Sequence, residues 1–198
     1  MTAKILKFFQ SAYRMQTNPP IFAYKKFCKT YYMETTRPTI YLYTDGASSG
    51  NPGPGGYGVV LICNNLRKEL SGGFRLTTNN RMELLAVIKG LEAIKWENAN
   101  VEIWSDSSYV VDAINKGWIY SWQRKSFAKV KNPDLWMRFL EVWRRHNVQY
   151  HWLKGHAGHP ENERCDQMAV NAGAGAVARG EQLPADEGYE SQESMLPL

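Results

Sequence analysis

Between residues 39 and 74 the hydrophobic positions fall in three short runs rich in β-branched and aromatic side chains: TIYLYTD at 39–45, then 57–63 and 68–74. Turn-forming residues separate them, so the chain is predicted to open with three successive strands. The period then changes. Over 82–96, Leu84, Ile88, Leu91 and Ile94 recur at helical spacing and form one apolar stripe. A strand at 101–105, helices at 107–115 and 134–146, a strand at 148–153 and a helix at 160–171 with Pro160 in its first turn complete the pattern. The order βββαβαα(α)βα predicts an α/β fold, a central sheet with an antiparallel start and helices on its faces.

With 198 residues, 43% of them hydrophobic and 22% charged, the chain has room for one ordinary domain and tails. No apolar run approaches the roughly 18 residues that span a bilayer, so no membrane association is expected. The net charge of +5 is uneven: residues 1–33 hold six Lys/Arg and no acid, and 173–198 carry a net −4. The basic, aromatic start leaves three readings open: a targeting peptide, an arm that grips nucleic acid, or an extension with little structure ahead of Met33. The Gly/Ala-rich and then acidic end reads as a flexible tail. The expected division is an extension at 1–37, one domain at 38–172 and a tail at 173–198. Cys28, Cys63 and Cys165 lack C-x-x-C spacing, which argues against a disulfide framework and fits a reducing, cytoplasmic location.

Four carboxylates stand where elements begin or end: Asp45, Glu83, Asp106 and Asp166. Each has an ordinary explanation. Asp45 precedes Gly46 as in a turn, Glu83 lies three residues after Asn80 as in a capping box, Asp106 suits a helix N-cap, and Asp166 suits a solvated helix face. Together they suggest something else. Asp45 and Asp106 end strands, and ligands in α/β sheets gather at strand ends. Carboxylates so gathered repel one another unless cations intervene, and all-oxygen ligands suit magnesium or manganese.

The glycine-rich GASSGNPGPGGYG lacks the Lys-Ser/Thr ending of a phosphate-cradling loop and reads as a tight connection between the first two strands, with Asn51 able to approach a phosphate. In TTNNRME, at 77–83, short polar groups crowd a helix start, where capping by Thr78 or Asn80 and anion binding are compatible. His156 and His159 have H-x-x-H spacing but thin support for zinc. Proton transfer by one of them beside the carboxylates is the better reading. From 116 to 131 five Lys/Arg interleave with Trp118, Tyr120, Trp122 and Phe127, either a nucleic-acid surface or a helix whose Trp residues face the core.

The blocks YTDGASSGNPGPGG, TTNNRMELLA, WSDSSYV and WLKGHAGHPENERCD, in this order over residues 38–172, resemble ribonuclease H of type 1, the bacterial kind. The resemblance implies a five-stranded mixed sheet, its first three strands antiparallel, with helices on both faces. It implies hydrolysis of the RNA strand of an RNA–DNA hybrid by two Mg2+ ions, for which Mn2+ substitutes, leaving 5′-phosphate and 3′-hydroxyl ends. Asp45, Glu83, Asp106 and Asp166 correspond to metal ligands and His156 to a histidine of proton transfer or product release. Asn51 and Thr78 correspond to contacts with a DNA-strand phosphate, Asn79 and Asn80 to minor-groove contacts, and Trp118 to an aromatic of the DNA-strand channel. A monomer is the default expectation. Two departures stand out: SWQRKSFAKVKN is short where relatives often carry a longer basic protrusion, and Ser108 stands where they often have Gln.

The main rival is a catalytically weak hybrid-binding module of the same fold. All four carboxylates and His156 are present, which disfavours it. Resolvase or transposase cores share the carboxylate logic without the GNPGPGG and GHAGHPENERCD blocks.

Overall fold

The sheet is built in the order β3-β2-β1-β4-β5. Strand β1 (Ile40–Ser48) pairs antiparallel with β2 (Gly53–Cys63), and β2 pairs antiparallel with β3 (Leu66–Thr77). On the other side of β1, strands β4 (Asn100–Ser105) and β5 (Asn147–Trp152) run parallel to it. The expected mixed five-stranded sheet is therefore present. These coordinates come from a computed structural model, which describes residues 38–155 and 157–193.

Helices cover both faces. Helix α1 (Asn79–Glu92) follows β3, α2 (Ser108–Asn115) and α3 (Trp118–Arg124) follow β4, and α4 (Pro133–Trp143) leads into β5. The predicted stripe of α1 is buried as expected: Leu84, Ile88 and Leu91 are wholly buried and pack with Leu42, Ile103, Trp136 and Phe139 in the main core. Helix α5 (Pro160–Val170) lies on the opposite face, where Cys165 and Met168 pack on Val60. Removing these side chains from water supplies the main drive for assembling the layers. Trp122, which the sequence left between core and surface, packs partly buried on the core with its ring 5.3 Å from that of Trp136.

Helix α1 ends four residues before the predicted limit of 96. The chain turns there through Asn98, at φ 55°, whose N–H donates to the Arg145 carbonyl.

The acidic end departs further from expectation. Beyond α5 the chain makes a π-helical turn (Asn171–Gly175), a single turn α6 (Ala176–Ala178) and a last helix α7 (Glu187–Glu193). Pro184 accepts a hydrogen bond from the Arg75 N–H of β3, and Asp186 is buried against Arg81 of α1. The composition is that of a solvated tail, but Asp186 has a buried guanidinium as partner, so the folded part does not stop at 172. Residues 1–37, including the basic start and Cys28, lie outside the described residues. Cys63 and Cys165 are free thiols. Among the described residues no helix is long and apolar enough to cross a membrane.

Candidate active site

Three of the ordinary explanations for the carboxylates fail on local structure. Asp45 and Gly46 sit inside β1, paired with Gly58 and Tyr57, and make no turn. The N-cap of α2 is Ser107, whose hydroxyl accepts from the Val110 N–H at 3.3 Å, so Asp106 caps nothing there. Glu83 forms no capping box. Its Oε1 accepts from the Asn79 amide at 2.6 Å and its Oε2 from the Ser107 hydroxyl.

Two glycines bring the carboxylate-bearing elements together. A Cβ on Gly46 would lie 2.2 Å from the Glu83 backbone nitrogen, so its absence lets the first turn of α1 rest directly on β1 beside Asp45. A Cβ on Gly58, the cross-strand partner of Asp45, would lie 2.1 Å from the Cys165 carbonyl oxygen. Helix α5 therefore crosses immediately above the Asp45–Gly58 pair, and Asp166 follows Cys165. Bulkier residues would force both helices off the sheet.

Asp106 follows the last residue of β4, two residues beyond the last β1–β4 pair, Tyr43↔Trp104. The Asn162 amide donates to its Oδ2 at 3.3 Å, and its carbonyl accepts from the Trp152 indole N–H at 3.3 Å. Burial, reinforced by the charge of Asp106 and then those of Asp166 and Glu83, pushes the Asp45 carboxyl up to about 8, although the Gly46 N–H donates to it. Burial and the charge of Asp106 also raise Glu83, against hydrogen bonds from Ser107 and Asn79. Four carboxylates from β1, α1, α5 and the residue after β4 thus share one electrostatic neighbourhood, in which the charges felt by Asp45 among the described residues are those of Asp106, Asp166 and Glu83.

The donor set is all oxygen and carries unneutralised negative charge, which fits a hard divalent cation. Among the described residues no three His, Cys, Asp or Glu side chains stand close enough together to hold a metal ion by themselves. Magnesium is commonly held by one or two carboxylates with waters and substrate phosphates, so an open arrangement suits it.

The substrate-contact candidates fall around this edge unequally. Thr78 is the N-cap residue of α1 but makes no side-chain cap. The Asn79 N–H donates to Asn51 Oδ1 at 3.3 Å, joining the β1–β2 loop to the helix start. Asn79 also directs its amide to Glu83, whereas Asn80 is exposed. Trp118 opens α3, is 44% exposed and has Lys116 Nζ 4.9 Å from its ring centroid. His156 lies outside the described residues. Gly155 before it approaches Asp106, since a Cβ there would be 2.8 Å from Oδ2. The His159 ring packs 5.1 Å from that of Tyr43.

Sequence reasoning passed over Ser107, Tyr150 and the Arg81–Asp186 pair. Ser107 had a visible signal, a hydroxyl next to Asp106 at a helix start. Arg81 had a weaker one, a lone cation among the polar residues of TTNNRME.

The sheet order and the strand-edge carboxylates define a fold of the ribonuclease H-like class. The family model for RNase H matches residues 37–174. The Ribonuclease H of Desulforamulus reducens is 58% identical over 152 residues, 74% of this chain and 92% of that protein. That of Rippkaea orientalis is 54% identical over 158 residues, 77% and 93% of the two chains. Among solved structures, LC9-RNase H1, a type 1 RNase H with the type 2 active-site motif, is 29% identical with a TM-score of 0.65 over 81% of this chain and 82% of that one. LC11-RNase H1 in complex with RNA/DNA hybrid is 27% identical with a TM-score of 0.50, covering 70% and 99%. The chain belongs to the ribonuclease H family, type 1, and is a ribonuclease of that family.

Proposed function

We propose that this chain cuts the RNA strand of RNA–DNA hybrids by hydrolysis, with Asp45, Glu83, Asp106 and Asp166 holding two Mg2+ ions, or Mn2+ in their place. The observation that carries the reading is the close seating of α1 on Gly46 and of α5 over Gly58, the cross-strand partner of Asp45, which brings the elements bearing Glu83 and Asp166 to Asp45. Such ions would supply Lewis acidity, making a water nucleophilic at neutral pH and offsetting charge on the leaving oxygen.

The protein's own groups hold and orient. Asn79 and Ser107 fix both oxygens of Glu83, and Asn162 steadies Asp106. Asn51 and Thr78, at the start of α1 with its free N–H groups, receive a backbone phosphate of the DNA strand. Asn80, exposed and free of Glu83, meets base edges in the minor groove, while Asn79 divides its polar groups between groove and carboxylate. Trp118, steadied by Lys116, offers a face against the deoxyribose strand. His156 transfers the proton released during hydrolysis or assists product departure. The similarity to LC11-RNase H1, solved with an RNA/DNA hybrid, supports this choice of substrate.

The test uses duplexes labelled on either strand: RNA–DNA, RNA–RNA and DNA–DNA, each with magnesium. The reading expects cutting of the RNA strand of the hybrid alone, with 5′-phosphate and 3′-hydroxyl ends. Ends bearing 2′,3′-cyclic phosphate contradict it, because they mark attack by the 2′-hydroxyl instead of water.

A further inference from the structure

We propose that Tyr150 is a positioning residue for the carboxylate site: its phenol, against Thr44 and Ser105, sets the separation of β1 and β4 beside Asp45 and Asp106. The inference rests on the reading of these carboxylates as cation ligands.

Strands β1 and β4 are paired in parallel from Ile40↔Val101 up to Tyr43↔Trp104, and the ladder stops there. The next residues are Thr44 and Ser105, and the ones after those are Asp45 and Asp106. The two carboxylates thus stand two residues past the last β1–β4 pair, although β1 itself stays paired with β2 as far as Ser48. Between β1 and β4 themselves, side-chain contacts bear on the spacing from there.

Tyr150 supplies one. It pairs with Ile103 in the β4–β5 ladder and is buried, and its hydroxyl lies against those of Ser105 and Thr44. Thr44 is wholly buried and Ser105 is 2% exposed. The contact continues toward the site: Ser105 Oγ accepts from the Ser107 N–H at 3.2 Å, and the Ser107 hydroxyl donates to Glu83. One side chain of β5 is therefore connected to the supports of Asp45, Asp106 and Glu83.

Packing alone does not explain a tyrosine here. Neither Tyr150 OH nor Thr44 Oγ1 makes a well-aligned hydrogen bond, and a buried hydroxyl without one is costly. Phenylalanine would fill the same core without that cost. Burial, together with the charges of Glu83 and Asp106, drives the phenol's ionisation well above its ordinary range, so Tyr150 remains a neutral spacer beneath an anionic cluster.

The experiment titrates Mn2+ into the substrate-free protein by calorimetry for wild type, Tyr150→Phe and Thr44→Val, with thermal unfolding of the same samples. KM for hybrid is read at saturating metal. The proposal expects both variants to fold and to bind Mn2+ about tenfold more weakly, the low end for groups that orient metal ligands, with KM unchanged. Two folded variants that bind Mn2+ like wild type, or a fall in Tm with no change in the isotherm, overturn it. Should one variant not fold, the other decides. A wild type that binds no Mn2+ removes the carboxylate reading and the spacer role together, whereas equal binding by all three proteins removes the spacer role alone.

Discussion

Arg81 and Asp186, 105 residues apart in sequence, form a two-pronged ion pair with both contacts at 2.8 Å. The arginine side chain is 2% exposed and the aspartate 9%. Asp134 takes another edge of the same guanidinium at 2.8 and 2.9 Å, and the Thr77 hydroxyl donates to Asp186 at 2.7 Å. Arg81 lies two residues before Glu83, so the C-terminal segment is tied to the turn of α1 that carries a site carboxylate.

Asp186→Ala is therefore expected to cost about 2 kcal/mol, because the buried guanidinium keeps Asp134 but loses two charge-assisted hydrogen bonds, and the Thr77 hydroxyl loses its acceptor. Deleting everything after Leu183 is expected to cost at least as much. Urea unfolding checks both. Midpoints equal to wild type would mean that the segment only rests on the surface.

Gly46→Ala places a methyl group where the backbone of Met82 and Glu83 now lies, at 2.3 and 2.2 Å. Backbone cannot rotate away as a side chain can. The expected loss is about 2–3 kcal/mol, at the upper part of the range for overpacking, with activity falling more than stability because Glu83 shifts with its helix. Unfolding and hybrid cleavage, measured on one preparation, separate the two effects.

Ser107 serves two neighbours, capping α2 and donating to Glu83. Ser107→Ala is expected to lose about 1 kcal/mol from the cap and also to weaken metal binding. Ser107→Asp keeps a capping oxygen but adds a negative charge beside Glu83, so it should regain the stability and not the metal affinity. Recovery of both by Ser107→Asp would show that the cap alone matters.

The raised Asp45 carboxyl makes stability depend on pH. Its ordinary value is 3.8 and its folded value about 8, so between these the folded chain holds a proton that the unfolded chain has lost. The contribution is whole below about 4 and is lost as pH rises to about 8 and beyond. In EDTA, Asp45→Asn is expected to change little near pH 4 and to stabilise the protein at pH 8.5. The gain should stay below the roughly 6 kcal/mol that a rise from 3.8 to about 8 gives at about 1.4 kcal/mol per unit, since the shift comes from burial and then from carboxylates that titrate together. Adding Mg2+ at pH 8.5 should raise the Tm of wild type and not that of the variant. A destabilised Asp45→Asn at pH 8.5 would contradict the shift.

Strand and helix identity were legible because they are written locally: the run ending at Asp45 and the stripe of Leu84, Ile88 and Leu91 each state their own period. Helix ends were less so: α1 stops at Glu92, and the turn after it closes through Asn98, which bonds to Arg145, a residue from a different part of the chain. A common neighbourhood for Asp45, Glu83, Asp106 and Asp166 was suggested by the ends of the predicted elements, although Asp45 lies inside β1, which runs on to Ser48, and Asp166 inside α5. The means of convergence, Gly46 beneath Glu83 and Gly58 beneath Cys165, is a matter of interlayer distance that no local pattern carries. The folded end was hidden for a related reason: Asp186 in isolation looks solvated, and only its pairing with Arg81 makes burial tolerable.

The most direct test of the account is cleavage of the RNA strand of a labelled hybrid in Mg2+ by wild type, Asp45→Asn, Glu83→Gln, Asp106→Asn and Asp166→Asn. Hybrid binding is measured on the same preparations. The account predicts a wild type that cuts, and variants that fold and bind hybrid while cutting at least a hundredfold more slowly, roughly the loss for a group that holds transition-state charge. Wild-type rates retained in Asp45→Asn would contradict it, since the carboxylate at the centre of the cluster would then take no part in the chemistry.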